Sequence, residues 1–196
     1  DVMETILVST NHDEIRLGIT RDIPTDFVFM SEIVQTPVEV LSVTRNDRPE
    51  NFWTESNKNS VRILTGAKED KRENYLPKGD HTYQIHWQSK NHLRGFLSYD
   101  ELYFNAVGHS WRLPIEKANV ILTLPSSVNI EQVASYYGTE GNTARGIATI
   151  ISPQQVEFST PFSLTKYEGF TIAAGFTKGI LPATNPSMYD RLMFGI

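Results

Sequence analysis

The 196-residue chain carries 18 Lys+Arg against 23 Asp+Glu, a formal net charge of -5, and no cysteine. It therefore lacks the basic stripe of a nucleic-acid binder, structural disulfides and thiolate metal sites, and no apolar run reaches the roughly 18 residues needed to cross a bilayer as a helix. Hydrophobic residues make up 39% and aromatics 11%, so core volume comes from a few bulky side chains, a balance that suits sheets better than helices.

The opening VMETILVST reads as a β-branched strand closed by the polar turn Asn11-His12-Asp13. A second extended segment, IRLGITRDIP, follows; Gly18 marks a bulge or a close backbone approach, and Pro24 keeps Ile23 out of helical geometry. DFVFMSEIV fits either a short helix or a strand. The run from Val38 ends on Asn46-Asp47-Arg48-Pro49, which predicts a hairpin, and Asn51 to Trp53 and Ser60 to Leu64 supply the next strand pieces. AKEDKREN, with nearly balanced charge, is expected to be a solvated loop.

HTYQIHWQSK alternates most cleanly, with Tyr83, Ile85 and Trp87 on one face and Thr82, Gln84, His86 and Gln88 on the other. From Tyr99 to Pro125 an ELYFNAV strand is followed by a tight connection expected at Gly108-His109-Ser110 and by a strand with Val120, Leu122 and Leu124 on one parity. A single helical turn fits after Ser126-Ser127, and Gly146 to Ile151, Gln155 to Ser159 and Phe170 to Phe176 are further strands. The pattern predicts an all-β antiparallel sandwich, immunoglobulin-like or jelly-roll-like, of about nine or ten strands with at most one or two short helices. One domain over residues 1–182 is expected, with a tail over 183–196 leading toward a membrane anchor outside this chain.

Four ordered segments, LGITRDIP, SVRILTG, YDELYFNAVGHSWRLPIEKANVILTLP and YEGFTIAAGFTKGIL, carry a resemblance. The chain resembles the N-terminal domain of a bacterial family of predicted membrane proteins of unknown function, domain-of-unknown-function family twenty-two-oh-seven. Its three motifs are matched at Gly18 to Pro24, at Asp100 to Asn105 with Trp111 to Ile115, and at Gly169 to Gly179. The chain departs from the family at Phe104, where tryptophan is usual, and near Tyr136, where many relatives carry a cysteine. The resemblance implies an extracytoplasmic domain, periplasmic or at the cell surface, preceded by a signal peptide and followed by a transmembrane helix. The start at Asp1 without methionine suits a domain trimmed of such a leader.

The candidate patch is polar and aromatic: Arg21, Asp22, Asp100, Glu101, Tyr103, Asn105, Trp111 and Tyr137. A glycosidase needs two carboxylates about 5 to 10 Å apart, and Asp100 and Glu101, as strand neighbours, point to opposite faces, so Asp22 would have to be recruited. The structural alternative is an ion pair between Arg21 and Asp100 or Glu101 that fixes a strand junction. The five histidines show no metal-ligand spacing, since His81 and His86 differ in parity, and no serine elbow or phosphate-cradling glycine loop is present. Trp87 reads as core, whereas Trp111 and Tyr137, beside glycine and polar residues, are expected to be exposed. These readings assign no catalytic residue, metal or cofactor. They point to a non-enzymatic interaction or sensing module at the cell envelope, or alternatively to a carbohydrate-binding or glycan-processing module. Its partner would be a protein or a cell-envelope glycan, with no nucleic acid and with the membrane reached only through an anchor outside the chain. Oligomeric state stays open, because a free sheet edge can accept a strand.

Overall fold

The computed structural model describes residues 1–183. The C-terminal tail expected over 183–196 lies outside the described residues apart from Ala183. In chain order the strands are β1 (Val2–Thr10), β2 (Thr20–Pro24), β3 (Asp26–Phe29), β4 (Glu32–Gln35), β5 (Val38–Arg45), β6 (Arg48–Pro49), β7 (Phe52–Ser56), β8 (Ser60–Thr65), β9 (Gly79–Ser89), β10 (Leu93–Gly95), β11 (Tyr99–Val107), β12 (Asn119–Thr123), β13 (Ile130–Gly138), β14 (Ala144–Arg145), β15 (Ile147–Ser152), β16 (Gln155–Ser159) and β17 (Gly169–Thr177). Among the described residues the one helical element is a 3-10 turn, Arg72–Asn74, inside the charged loop. The all-β antiparallel class is as the alternation predicted. The strand count is higher than nine or ten because turns split the longer runs into pieces, two of them only two residues long.

The chain forms two compact units: Asp1–Asp26 with Gln35–Lys90, and Phe27–Val34 with the chain from Asn91 onward. The first holds a four-stranded sheet, β1-β9-β5-β6, and a three-stranded sheet, β2-β8-β7. Tyr83, Ile85 and Trp87 of β9 are fully buried, as their parity required, and Ile63 of β8 is buried with them. The Asn46-Asp47 hairpin forms with both residues in the left-handed region (φ 53° and 61°), the conformation that asparagine and aspartate tolerate best after glycine. Gly18 is a close approach and not a bulge: a Cβ there would sit 2.0 Å from the Thr65 carbonyl oxygen.

The second unit is a sandwich of a five-stranded sheet, β10-β11-β17-β13-β14, and a three-stranded sheet, β12-β16-β15. Val156 and Phe158 of β16 meet Phe170, Ile172 and Phe176 of β17 in one core, with Val120, Leu122 and Val133 packed against it. DFVFMSEIV resolves as the two strands of a β3-β4 hairpin, with Met30 at φ 56° in its turn. A turn forms at His109-Ser110 of the expected Gly108-His109-Ser110 connection, but it does not join β11 directly to β12, because the two belong to different sheets and residues 108–118 cross between them. That crossing is pinned by Ile115 bridging Leu164 and by the Tyr167 N–H donating to the Trp111 carbonyl at 2.9 Å. The helical turn expected after Ser127 is a plain turn closed by Val128 N–H on the Pro125 carbonyl.

Candidate functional site

Strand alternation decides which side chains share the outer face of the five-stranded sheet. Tyr99, Glu101, Tyr103 and Asn105 of β11 point away from the core that Phe104 packs against, and the register sets them beside Thr177, Gly175, Ala173 and Thr171 of β17. On the far side Gln132, Ala134 and Tyr136 of β13 continue the same rows. Gly175, Ala173 and Ala134 make a floor of small residues between two taller polar and aromatic borders. Gly175 leaves room for Gln132, whose side chain a Cβ would meet at 2.5 Å.

Arg94 stands directly opposite Glu101 across the β10-β11 hairpin. Its guanidinium carbon lies 3.5 Å from the Tyr103 ring centroid, 4.9 Å from that of Phe27 and 5.5 Å from that of Phe29, an aromatic enclosure that stabilises a cation through the ring quadrupoles. Phe96 extends it, edge-on to Phe29 and stacked on Tyr99 at 4.7 Å. Burial lowers the Arg94 pKa, and the Arg94 Nε is buried without a hydrogen-bond partner. Burial likewise raises the Glu101 carboxyl above its ordinary value, with Arg94 only partly opposing the shift. Asn105 adds a buried side-chain oxygen without a partner. The face thus holds a partly buried cation whose Nε lacks a hydrogen-bond partner and, directly opposite, a carboxyl whose charge burial disfavours.

A consequence for stability follows from the sign of the Glu101 shift. The fold prefers the protonated carboxyl, so the cost of burying the charge is full at neutral pH and disappears as pH falls through the raised value toward 4.5. Glu101→Gln is expected to raise the thermal midpoint at pH 7, because it removes the charge that burial disfavours. Calorimetry from pH 7 to pH 4 should show that gain shrinking with acidity, and a variant less stable than the parent at pH 7 would contradict the assignment.

Asp100, pointing the other way, is buried (2% exposed) and engaged. Its Oδ2 accepts the Gly179 N–H at 2.7 Å, and Lys178 Nζ lies 3.5 Å from Oδ1 while donating to the Phe96 carbonyl at 2.6 Å. The second and third family motifs therefore meet in a clasp at the end of β17. Asp100 and Glu101 occupy opposite faces of the sheet.

Arg21, expected to pair with Asp100 or Glu101, engages a carboxylate of its own unit. Arg21 gives Glu4 of β1 a two-pronged pair, 2.9 Å from Nε to Oε2 and 2.9 Å from Nη2 to Oε1, and Trp87 Nε1 donates to the same carboxylate at 3.2 Å. Glu4 wins because it points inward from a strand of the facing sheet, the geometry a buried fork needs. Asp22 pairs with Arg62, its cross-strand neighbour on β8, at 2.7 and 3.1 Å. Arg21 and Asp22 thus lie in the first unit and the other six candidates in the second. Tyr137, expected to be exposed, turns toward the core and packs against its cluster, because its parity is that of Val133 and Ser135; its neighbour Tyr136 takes the outer face, where Arg145 stacks on it at 4.6 Å. Trp111 is half-buried at the crossing. Among the described residues no group of three or more His, Asp or Glu could hold a metal ion.

Reading the sequence missed Arg94, Phe27, Phe29 and Phe96. The hairpin signal was present in RGFLSYDE: a turn at Leu97-Ser98 sets Arg94 across from Glu101. The rings of Phe27 and Phe29 come from a segment distant in sequence, and only the folded chain brings them there.

The chain matches the family described as Predicted membrane protein (DUF2207) N-terminal domain over residues 1–176. It is 27% identical over 165 residues to an uncharacterized protein, YciQ, of Escherichia coli (strain K12), an alignment covering 83% of this chain and 25% of that relative. The chain thus spans about a quarter of the relative's length. No solved structure matches significantly. Among the described residues no helix is long and apolar enough to cross a membrane.

Proposed function

The chain belongs to the family of N-terminal domains of these predicted membrane proteins, and from that premise we propose that it is a non-enzymatic interaction or sensing module on the extracytoplasmic side of a membrane. Its recognition surface is the outer face of the five-stranded sheet. The observation that carries this reading is the juxtaposition of Arg94, whose Nε is buried without a hydrogen-bond partner, and Glu101, whose charge burial disfavours, beside a floor of Gly175 and Ala173. An incoming chain that supplies hydrogen bonds to those groups relieves a cost the free protein carries, which gives binding both affinity and selectivity. The carboxylates that could have flanked a scissile bond face opposite ways, which favours display over catalysis.

Two measurements test the reading in the full-length membrane protein. Protease added to cells with a permeabilised outer layer should reach this domain while cytoplasmic markers stay intact; protection would place it on the other side. A photo-crosslinking residue introduced at Tyr136 should give a discrete adduct in cells that is lost when Glu101→Ala is added. The absence of any adduct across growth conditions would reject the face as a binding surface.

A carbohydrate ligand is the second reading, favoured by Tyr99, Tyr103 and Tyr136 standing on the same face as Glu101 and Gln132. Flat aromatic rings stack on sugar rings, and carboxylate and amide groups bind their hydroxyls. A glycan array and a cell-wall pull-down that stay blank down to millimolar affinity would dispose of it.

A further inference from the structure

Several strand edges among the described residues are blunted. β6 is two residues long and contains Pro49, β10 is three, β14 is two, β2 ends on Pro24, and the register of β15 is broken between Ile150 and Ser152. Such shortening, proline and bulging are the ordinary defences against edge-to-edge pairing. β1 has none of them. It runs nine residues from Val2 to Thr10 in unbroken register with β9, contains no proline, lysine or arginine, and among the described residues is hydrogen-bonded to a neighbouring strand on one side only. On its outer parity Met3 is 60% and Leu7 69% exposed, among the most exposed apolar side chains of the protein.

We propose that the free edge of β1 pairs antiparallel with β1 of a second copy of this chain, about a twofold axis through Thr5. The sequence of the strand selects that axis. With Thr5 opposite itself, Met3 of each copy faces Leu7 of the other on the outer side, and Val2 faces Val8 on the inner side, so the exposed apolar side chains cover one another. No like charges are opposed. Moving the axis to Glu4 sets two carboxylates directly opposite each other, which is destabilising. Moving it to Ile6 sets Met3 against Ser9 and Leu7 against Thr5, which leaves both apolar side chains beside polar ones. The Thr5 register is thus self-complementary, as a twofold interface requires, and it joins two four-stranded sheets into one continuous sheet, β6-β5-β9-β1 running on into its own copy.

The absence of cysteine gives a direct test. Sedimentation of the whole chain should show a concentration-dependent dimer, and Thr5→Lys, at an exposed position, should leave the far-ultraviolet spectrum unchanged and give monomer. Directly opposed residues of an antiparallel pair have Cα atoms about 4.5–5.5 Å apart, within reach of a disulfide. Thr5→Cys should therefore become crosslinked to near completion under mild oxidation. Ser9→Cys, whose copy would lie about 26 Å away along the strand pair, should not crosslink. A monomer at all accessible concentrations overturns the proposal, as does a dimer in which Ser9→Cys crosslinks and Thr5→Cys does not.

Discussion

Replacing Arg21 with alanine is expected to destabilise the protein by about 3–5 kcal/mol, the cost of stranding one partner of a buried ion pair. Arg21 is 2% exposed and Glu4 15%, so neither can recover its hydration by a small movement. Removing the guanidinium leaves the Glu4 carboxylate facing the core with the Trp87 indole N–H among its few donors. The double variant Arg21→Met with Glu4→Leu should recover most of the loss, since an apolar pair of similar volume carries no desolvation cost. It should fall short by about 1–3 kcal/mol, the penalty for the Trp87 N–H that then lacks its acceptor. Urea unfolding of the two single variants and the double variant measures the coupling. If the losses of the singles simply add in the double, the pair is not acting as a unit and the geometry described for it is wrong.

Phe158→Ala should cost about 3–5 kcal/mol, because the ring is fully buried where β16 faces β17 and the cavity left behind has little freedom to collapse. Ile121, on the strand paired with β16 but on the opposite face, is 63% exposed, and Ile121→Ala should change stability by no more than about 0.5 kcal/mol. The pair of values tests which face of the three-stranded sheet is buried. Comparable losses from both substitutions would mean that the layer is turned over or covered on both sides.

The contrast between Phe158 and Ile121 also marks what alternation can and cannot reveal. In β9 the period of two identified Tyr83, Ile85 and Trp87 as core, because a half-buried strand announces its inner face whenever that face is apolar. In β12 the same period put Val120 and Leu122 on one parity and they pack against the core, while the apolar Ile121 on the other parity stays exposed, a position the alternation of its neighbours and not its own hydrophobicity decides. Tyr136 and Tyr137 show the limit. Two adjacent tyrosines carry no parity signal of their own, and only the pairing of Tyr137 with Phe170 turned it inward and freed Tyr136 for the outer face.

The candidate patch divides along the same line. Reading strand neighbours as pointing opposite ways separated Asp100 from Glu101 correctly, since that follows from local backbone geometry alone. The partners of those residues did not follow from it. Arg21 met Glu4, and Asp100 met Lys178 and Gly179, each across a separation in the chain that no short-range rule spans, whereas Arg94 faces Glu101 across a short hairpin whose turn residues were there to be read.

By itself the sequence determined the all-β class, the hairpin at Asn46-Asp47, the inner face of β9 and the family to which the chain belongs. These rest on local alternation, turn chemistry and motif order, all written within short stretches of residues. Only the tertiary structure decided that the chain forms two compact units, that Phe27, Phe29 and Tyr103 enclose Arg94, and that Glu101 stands desolvated above a floor of glycine and alanine. Those depend on which strands become neighbours, a choice made by the summed burial of the whole chain and recorded in no single segment.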